Sequence, residues 1–135
     1  MIYFDTNIYL YAFLSKVDDE TQQNKSINLL HNALESKTLI ISEINLYEYA
    51  FVAKKQKESK EDIKKYLDFM SKFIKPSNDV YKRALDIMNQ KDFYRHSFDV
   101  VHLAFSEYYN CNKLVTFDKG FKKLQDITEV EIIVV

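Results

Sequence analysis

The sequence predicts a three-layer α/β fold, in which a mostly parallel sheet of about five strands lies between helices. Two observations support this prediction: short apolar runs recur along the chain, and segments with helical spacing of apolar residues separate them. Continuous apolar strands that alternate with helices are typical of a parallel sheet covered on both faces. No repeat, low-complexity tract or linker divides the 135 residues, so we expect one domain over 1–135.

The strands are predicted from apolar runs that end at polar or charged residues. The first run ends at Asp5, and a much shorter run, residues 74–75, lies just before Pro76. Short apolar runs of this kind indicate buried strands. The four clear strands are predicted over residues 1–4, 38–42, 113–117 and 131–135.

The segments between the strands carry apolar residues three and four positions apart, which is the spacing of one helix face. A polar stretch over 15–24, with capping residues near Asp19, precedes the second helix, and Ser97 is a typical N-cap. A short helical turn is expected after Asp118. The predicted helices cover residues 7–14, a segment ending near 37, and residues 43–56, 60–73, 80–88 and 97–109.

The composition excludes several classes of function. Nineteen Lys and Arg against 20 Asp and Glu give a net charge of −1, so nucleic-acid binding would need a local basic patch. The single glycine, Gly120, excludes a P-loop, a dinucleotide fingerprint and a G-x-S-x-G elbow. The single cysteine excludes a disulfide framework. Because the sequence shows neither a signal peptide nor an apolar run near the roughly 20 residues of a membrane span, we expect a cytoplasmic protein.

Two aspartates follow predicted strands, Asp5 after the first and Asp118 after the run at 113–117. Ligands of open α/β sheets bind at the carboxyl ends of the strands. Each aspartate taken singly is more typical of a turn or a helix cap. Two of them at one edge of the sheet favour a functional site.

Two further acids lie on predicted helices. Glu48 has Ile44 and Phe51 as helical neighbours, so it belongs to an apolar face, where a carboxylate needs a partner, a proton or a metal. An ion pair with Lys55 is the alternative, although Lys55 lies off the apolar stripe. Asp99 lies in a first helical turn, where the helix dipole favours an aspartate without any active site. If the four acids converge, they form an oxygen-rich site for Mg²⁺ or Mn²⁺, and the cation offsets their mutual repulsion.

Three stretches of the sequence resemble the motifs of one nuclease family. They are MIYFDTNIYLYAF at the start, IISEINLYEYAF in the middle and SFDVVHLAFSEYYNCNKLVTFDKGF near the end. In this order and spacing they resemble the PIN-domain nucleases, and they are most similar to the VapC-type toxins of bacterial and archaeal toxin–antitoxin pairs. The resemblance spans nearly the whole chain and implies a single PIN domain with a five-stranded parallel sheet.

The resemblance also implies which residues form the site. Glu43 is the rival of Glu48 for the second acidic position, but the spacing from the preceding strand favours Glu48. Asn45 stands where many relatives carry Thr, and some relatives do not rely on the fourth acid. The implied catalytic and metal-binding residues are Asp5, Glu48, Asp99 and Asp118, and the implied supporting residues are Asn7 and Thr116.

The implied activity is Mg²⁺-dependent hydrolysis of RNA phosphodiester bonds, with Mn²⁺ as the other suitable ion. The products would carry 5′-phosphate and 3′-hydroxyl ends, and no protein nucleophile would take part. The implied partners are the RNA substrate, a cognate antitoxin that covers the acidic pocket, and a second copy of the chain in a homodimer formed through helices with exposed Tyr and Phe. No membrane is implied.

Two residues near the third acid are candidate substrate contacts. Arg95 belongs to a small basic patch with Lys91 and His96 that precedes Asp99, and His102 lies one helical turn beyond Asp99. A hydrogen-bonded structural role is the more common alternative for a histidine in such a position. Six lysines over 54–65, diluted by three acids to a net +3, are typical of a solvated helix face but would also attract RNA.

Two other functions fit part of this pattern. A PIN domain that processes RNA without any antitoxin would carry the same residues. A non-catalytic Mg²⁺-binding switch or RNA-binding module would also gather carboxylates above a parallel sheet. A receiver-type switch, however, needs an adjacent acidic pair after the first strand, where this chain has Phe4 and Asp5.

Overall fold

The computed structural model of the protein describes residues 1–91 and 97–135. One or more helices separate each strand from the next, as the sequence predicts. In chain order the elements are β1 (Ile2–Phe4), α1 (Thr6–Phe13), α2 (Glu20–Glu35), β2 (Leu39–Ile40), α3 (Glu43–Lys55), α4 (Lys60–Ser71), α5 (Val80–Lys91), α6 (Ser97–Tyr108), β3 (Lys113–Thr116), a 3₁₀ helix (Lys119–Ile127) and β4 (Glu131–Val134).

Over residues 1–91 and 97–135, the sheet has four strands in the order β2-β1-β3-β4, and all neighbouring pairs are parallel. The expectation of about five strands was therefore wrong by one. The short run at 74–75 contributes a single parallel bridge between Ile41 and Ile74. It does not extend into a longer ladder because its partner segment ends here: Ser42 is the N-cap of α3, and the chain is helical from Glu43.

Helices cover both faces of the sheet, because successive strand residues point in opposite directions. In β1, Tyr3 packs with α5, α6 and the 3₁₀ helix, whereas Phe4 packs with the layer formed by α1 to α4. In β3, Leu114 and Val115 divide between the two layers in the same way. The three-layer α/β architecture is confirmed.

The second helix begins at the predicted capping residues, so only the first part of the predicted polar stretch is a connection. Helix α2 begins at Glu20, inside the stretch expected to be a polar connection, and the Asp19 side chain accepts hydrogen bonds from the backbone N–H groups of Thr21 and Gln22. Within the two described ranges, no helix combines the length and apolar character that crossing a bilayer requires.

Candidate active site

Asp5 and Asp118 lie at the carboxyl edge of the sheet, at the ends of the neighbouring strands β1 and β3. Asp5 caps α1, with Oδ1 accepting from the backbone N–H of Thr6 at 2.7 Å. Asp118 caps the 3₁₀ helix and accepts from the N–H of Gly120 at 2.8 Å. Each aspartate therefore caps a helix, and the two also lie at the same edge of the sheet.

Thr116 connects these two aspartates beneath the surface. Its fully buried hydroxyl donates to Asp5 Oδ2 at 2.7 Å and accepts from the backbone N–H of Asp118 at 2.9 Å. The Asn7 side chain donates to the same hydroxyl at 3.2 Å, and its Oδ1 accepts from the N–H of Phe117 at 3.4 Å. These contacts fix the two strand ends relative to each other, which is what the supporting role predicted for Asn7 and Thr116 requires.

Glu48 reaches the same edge from α3. Its Oε1 accepts from Thr6 Oγ1 at 2.6 Å and lies 2.7 Å from His102 Nε2. Burial alone would raise the pKa of Glu48, but the hydrogen bond and charge of His102 lower it below its usual value. The partner of Glu48 is therefore His102, whereas Lys55 is exposed. Glu43 lines a different groove of α3, beside Leu46 and Leu67.

His102 lies beneath the carboxylates and is only 1% exposed. Its Nδ1 hydrogen bonds to the hydroxyl of Tyr3, and its Nε2 is also 3.6 Å from Asp5 Oδ1. Burial alone would lower the pKa of His102, but the hydrogen bond to Glu48 and the charges of Asp5, Glu48 and Asp99 raise it. The ring is held at both nitrogens and has no face open to a substrate, so the geometry favours the structural alternative.

His102 belongs to a closed circuit of hydrogen bonds. We call this circuit, and not the imidazole, the buried ring. Thr6 donates to Glu48, the Asn45 amide donates to Thr6, and the Ser42 hydroxyl donates to Asn45 Oδ1. Ser42 also bonds to the hydroxyl of Tyr3 at 2.8 Å, and Tyr3 completes the circuit through His102. The members of the buried ring are Tyr3, Thr6, Ser42, Asn45, Glu48 and His102.

The sequence prediction left out most of the buried ring. Tyr3 lies in an apolar strand, where its sequence context is that of any core residue. The available signal was local: Ser42 and Asn45 have the three-residue spacing of a capping box, which the structure contains at the start of α3. Asn45 is fully buried and also donates to the backbone carbonyl of Phe4, so it connects α3 to β1.

Asp99, in the first turn of α6, is the least satisfied of the four acids. Its Oδ2 is buried and has no hydrogen-bond partner among the residues that the structure describes. Burial and the negative charges of Asp5 and Asp118 raise the pKa of Asp99 to about 7. The contribution of Asp5 and Asp118 to this shift means that the three carboxylates lie close enough to interact electrostatically.

The chemistry of these oxygens fits a hard divalent cation. Within ranges 1–91 and 97–135, no three Asp, Glu, His or Cys side chains are grouped closely enough to ligate one ion as they stand. Hydrogen bonds to Thr6, His102 and Gly120 hold three of the carboxylates in their present positions. The oxygen without a partner is Oδ2 of Asp99. A cation would supply that partner and remove the repulsion that raises its pKa.

Mg²⁺ should therefore stabilise the folded protein. At ten times its dissociation constant, a bound ion adds about 1.4 kcal/mol, which raises the melting temperature by roughly 3–6 °C for a domain of this size. The measurement is a thermal melt with and without MgCl₂ at constant ionic strength. Asp99→Asn should abolish the shift, whereas Asp68→Asn, in an exposed ion pair with Lys64, should retain it. An equal shift in both variants would contradict binding at Asp99.

The small basic patch of Lys91, Arg95 and His96 lies only partly within the described residues. Lys91 pairs with Asp126 at 2.6 Å. Arg95 and His96 fall outside the described residues, so the predicted substrate contact by Arg95 stays a prediction.

Comparison with known proteins places this geometry in a family. The family model described as "PIN domain" matches residues 2–127, which include all four acids and every member of the buried ring. No curated protein matches the sequence at a significant level. PIN domains are generally nucleases that use divalent metal ions, and a carboxylate-lined edge of a parallel sheet is the kind of site such chemistry needs. The match covers far more than half of the chain, and the chain therefore belongs to the PIN-domain family.

Proposed function

We propose that this PIN domain is a Mg²⁺-dependent endoribonuclease that acts as the toxin of a toxin–antitoxin pair. The observation that carries the nuclease part is the buried, unpartnered Oδ2 of Asp99 beside Asp5 and Asp118. Keeping such an oxygen is costly for folding, so its presence supports a role in binding a cation. The toxin part rests on the sequence resemblance given above.

Each residue has a distinct task in this proposal. Asp5, Glu48, Asp99 and Asp118 would hold the cation. A divalent ion there would supply Lewis acidity to a phosphodiester. Thr116 and Asn7 keep Asp5 and Asp118 in position, and His102 keeps Glu48 in position.

The first experiment incubates purified protein with a pool of tRNA, rRNA and mRNA. We expect cleavage with Mg²⁺, none with EDTA and none by Asp99→Asn, with Asp68→Asn as the matched control. The new ends should be 5′-phosphate and 3′-hydroxyl. Ends with 2′,3′-cyclic phosphate would show a different chemistry, and a folded, Mg²⁺-loaded protein that binds RNA without cutting it would favour the non-catalytic module.

The toxin role needs a separate test in cells. Expression of the wild type should arrest growth, and expression of Asp99→Asn should not. Co-expression of the cognate antitoxin should restore growth. The purified toxin–antitoxin complex should not cleave RNA. Cleavage in the test tube without any growth arrest would favour an RNA-processing nuclease. We place the protein in the cytoplasm, where these RNAs lie, as a single domain over 1–135.

We also propose a homodimer, formed through helices α5 and α6. Tyr81 and Leu85 lie one turn apart on α5 and are 57% and 51% exposed, and Tyr108 at the end of α6 is 46% exposed. Large apolar side chains exposed on neighbouring elements are typical of protein interfaces. A monomer by light scattering at micromolar concentration would contradict this proposal.

A further inference from the structure

An aromatic groove opens directly beside the carboxylates. It has a volume of about 330 Å³ and is lined by Ile44, Tyr47, Glu48, Phe51 and Phe98. Three of these side chains are large and solvent-exposed, with 57%, 71% and 54% exposure for Tyr47, Phe51 and Phe98. Glu48 belongs both to this groove and to the candidate active site, so the two are continuous.

The shape of the groove suits a flat aromatic ligand. The rings of Tyr47 and Phe51 lie at 19° to each other, with centroids 6.4 Å apart, so two nearly parallel aromatic rings border the groove. Stacking on such a ring accepts any nucleobase, because every base has a π-face. Apart from the Tyr47 hydroxyl and the Glu48 carboxylate, the lining side chains carry no hydrogen-bonding group. The groove therefore provides stacking without reading base edges.

Positive charge follows the groove along the same helix. Tyr47, Phe51 and Lys54 are spaced by four and three residues, so they lie on one face of α3. Lys54 and Lys55 are both exposed in the last turn, about 10 Å along the helix from Glu48. Carboxylates, aromatic rings and lysines thus follow one another along one helix.

We propose that this groove stacks an unpaired nucleobase of the RNA strand cut at the carboxylates, with Lys54 and Lys55 contacting the phosphates beyond it. The substrate class is then single-stranded RNA, since a base in a duplex is already stacked and is not free to enter the groove. The proposal rests on the proposed nuclease function. Charge complementarity with the lysines and continuity with the carboxylates favour RNA over an apolar protein segment as the occupant.

The test measures binding separately from cleavage. The probe is a 12-nucleotide single-stranded RNA containing 2-aminopurine, whose fluorescence is quenched by stacking, and Asp99→Asn is the background so that the RNA stays intact. Phe51→Ala should weaken binding by about 5- to 100-fold and remove the quenching. Phe51→Trp should retain both binding and quenching, and Ile27→Ala, at an exposed apolar residue on α2, should change neither.

Salt dependence tests the lysines. For single strands, each phosphate contact contributes about 0.7 to the slope of log K against log salt. Replacing Lys54 and Lys55 by Ala should therefore lower the slope by about 1.4. Lys113→Ala is the control, because Lys113 is exposed at the opposite edge of the sheet.

The outcomes separate this proposal from the proposed function. If wild-type protein cleaves RNA but Phe51→Ala binds and cleaves normally, the groove proposal fails and the nuclease function stands. If no variant cleaves RNA but Phe51→Ala still loses binding and quenching, the nuclease function fails and the groove stands as an RNA-binding surface. If Phe51→Ala leaves RNA binding unchanged but dissociates a dimer or an antitoxin complex, the groove is a protein interface and the proposal is overturned.

Discussion

We expect Asp99→Asn to reduce RNA cleavage by at least about a hundredfold and, in the metal-free protein at pH 8, to raise the melting temperature by about 3–5 °C. Activity should fall because the variant loses the charge that we propose holds the cation. Stability should rise because the same charge is buried without a partner in the absence of metal. A functional residue that destabilises its fold is a common trade-off.

The expected gain in stability depends on pH in a defined direction. The pKa of Asp99 is raised from 3.8 to about 7 in the folded state. Between these values the folded protein retains a proton that the unfolded chain has released, so the stability of the wild type falls as the pH rises through this window. Asn has no such proton, and the difference between variant and wild type should be small at pH 4 and largest above pH 7.

The measurement is a set of thermal melts in EDTA at pH 4, 6 and 8, with Asp68→Asn as the exposed control. That control should track the wild type within about 0.5 kcal/mol. A variant that is less stable than the wild type at pH 8 would show that Asp99 is a structural residue in the metal-free protein.

The second large effect is expected in the buried ring. His102→Leu should lower the free energy of unfolding by about 2–3 kcal/mol, because it leaves Glu48 and the hydroxyl of Tyr3 each without one partner. Glu48→Gln alone should cost less, since the Glu48 side chain is 32% exposed. If the two residues act as a pair, the double variant should cost about 1–2 kcal/mol less than the sum of the single variants.

Urea unfolding of the four proteins gives this coupling directly. The pKa of His102 is raised in the folded state. Its contribution to the free energy of unfolding is therefore complete below pH 6.5 and is lost as the pH rises through the pKa of the folded state. The lowered pKa of Glu48 means that its contribution is present above 4.5 and is lost at lower pH. The coupling should therefore be larger at pH 6 than at pH 9. His31→Leu, in an exposed pair with Glu35, should show no comparable effect, and strictly additive costs would contradict the pairing.

The sequence predicted the parts of the fold that depend on the local pattern of apolar and polar residues. The strand at 1–4 is apolar throughout, and the run at 113–117 has the apolar pair Leu114 and Val115 at its centre, because both faces of these strands are buried. This pattern is visible in the letters alone. The start of α2 was indicated by the capping residues near Asp19 and not by periodicity, because residues 20–25 are polar and carry no apolar stripe. The fifth strand was overestimated because its pairing depends on a partner segment that becomes helical directly after Ser42.

The candidate site shows the same division. Glu48 stood out because a carboxylate on an apolar helix face needs an explanation. Tyr3 and Ser42 did not, because a tyrosine in a strand and a serine at a helix start are ordinary. Their connection depends on contacts across 39 and 99 residues of sequence, from Tyr3 to Ser42 and to His102. No local pattern contains such information.

The strand order has a consequence for when the protein becomes active during its synthesis. Strand β1 is made first, but it pairs with β3, and the hydroxyl that holds Asp5 comes from Thr116. A ribosome must therefore complete more than 110 residues before the first aspartate has its neighbours. A chain translated only as far as α6 therefore lacks the hydrogen bond that positions Asp5, so the four acids are not held together until β3 has been made.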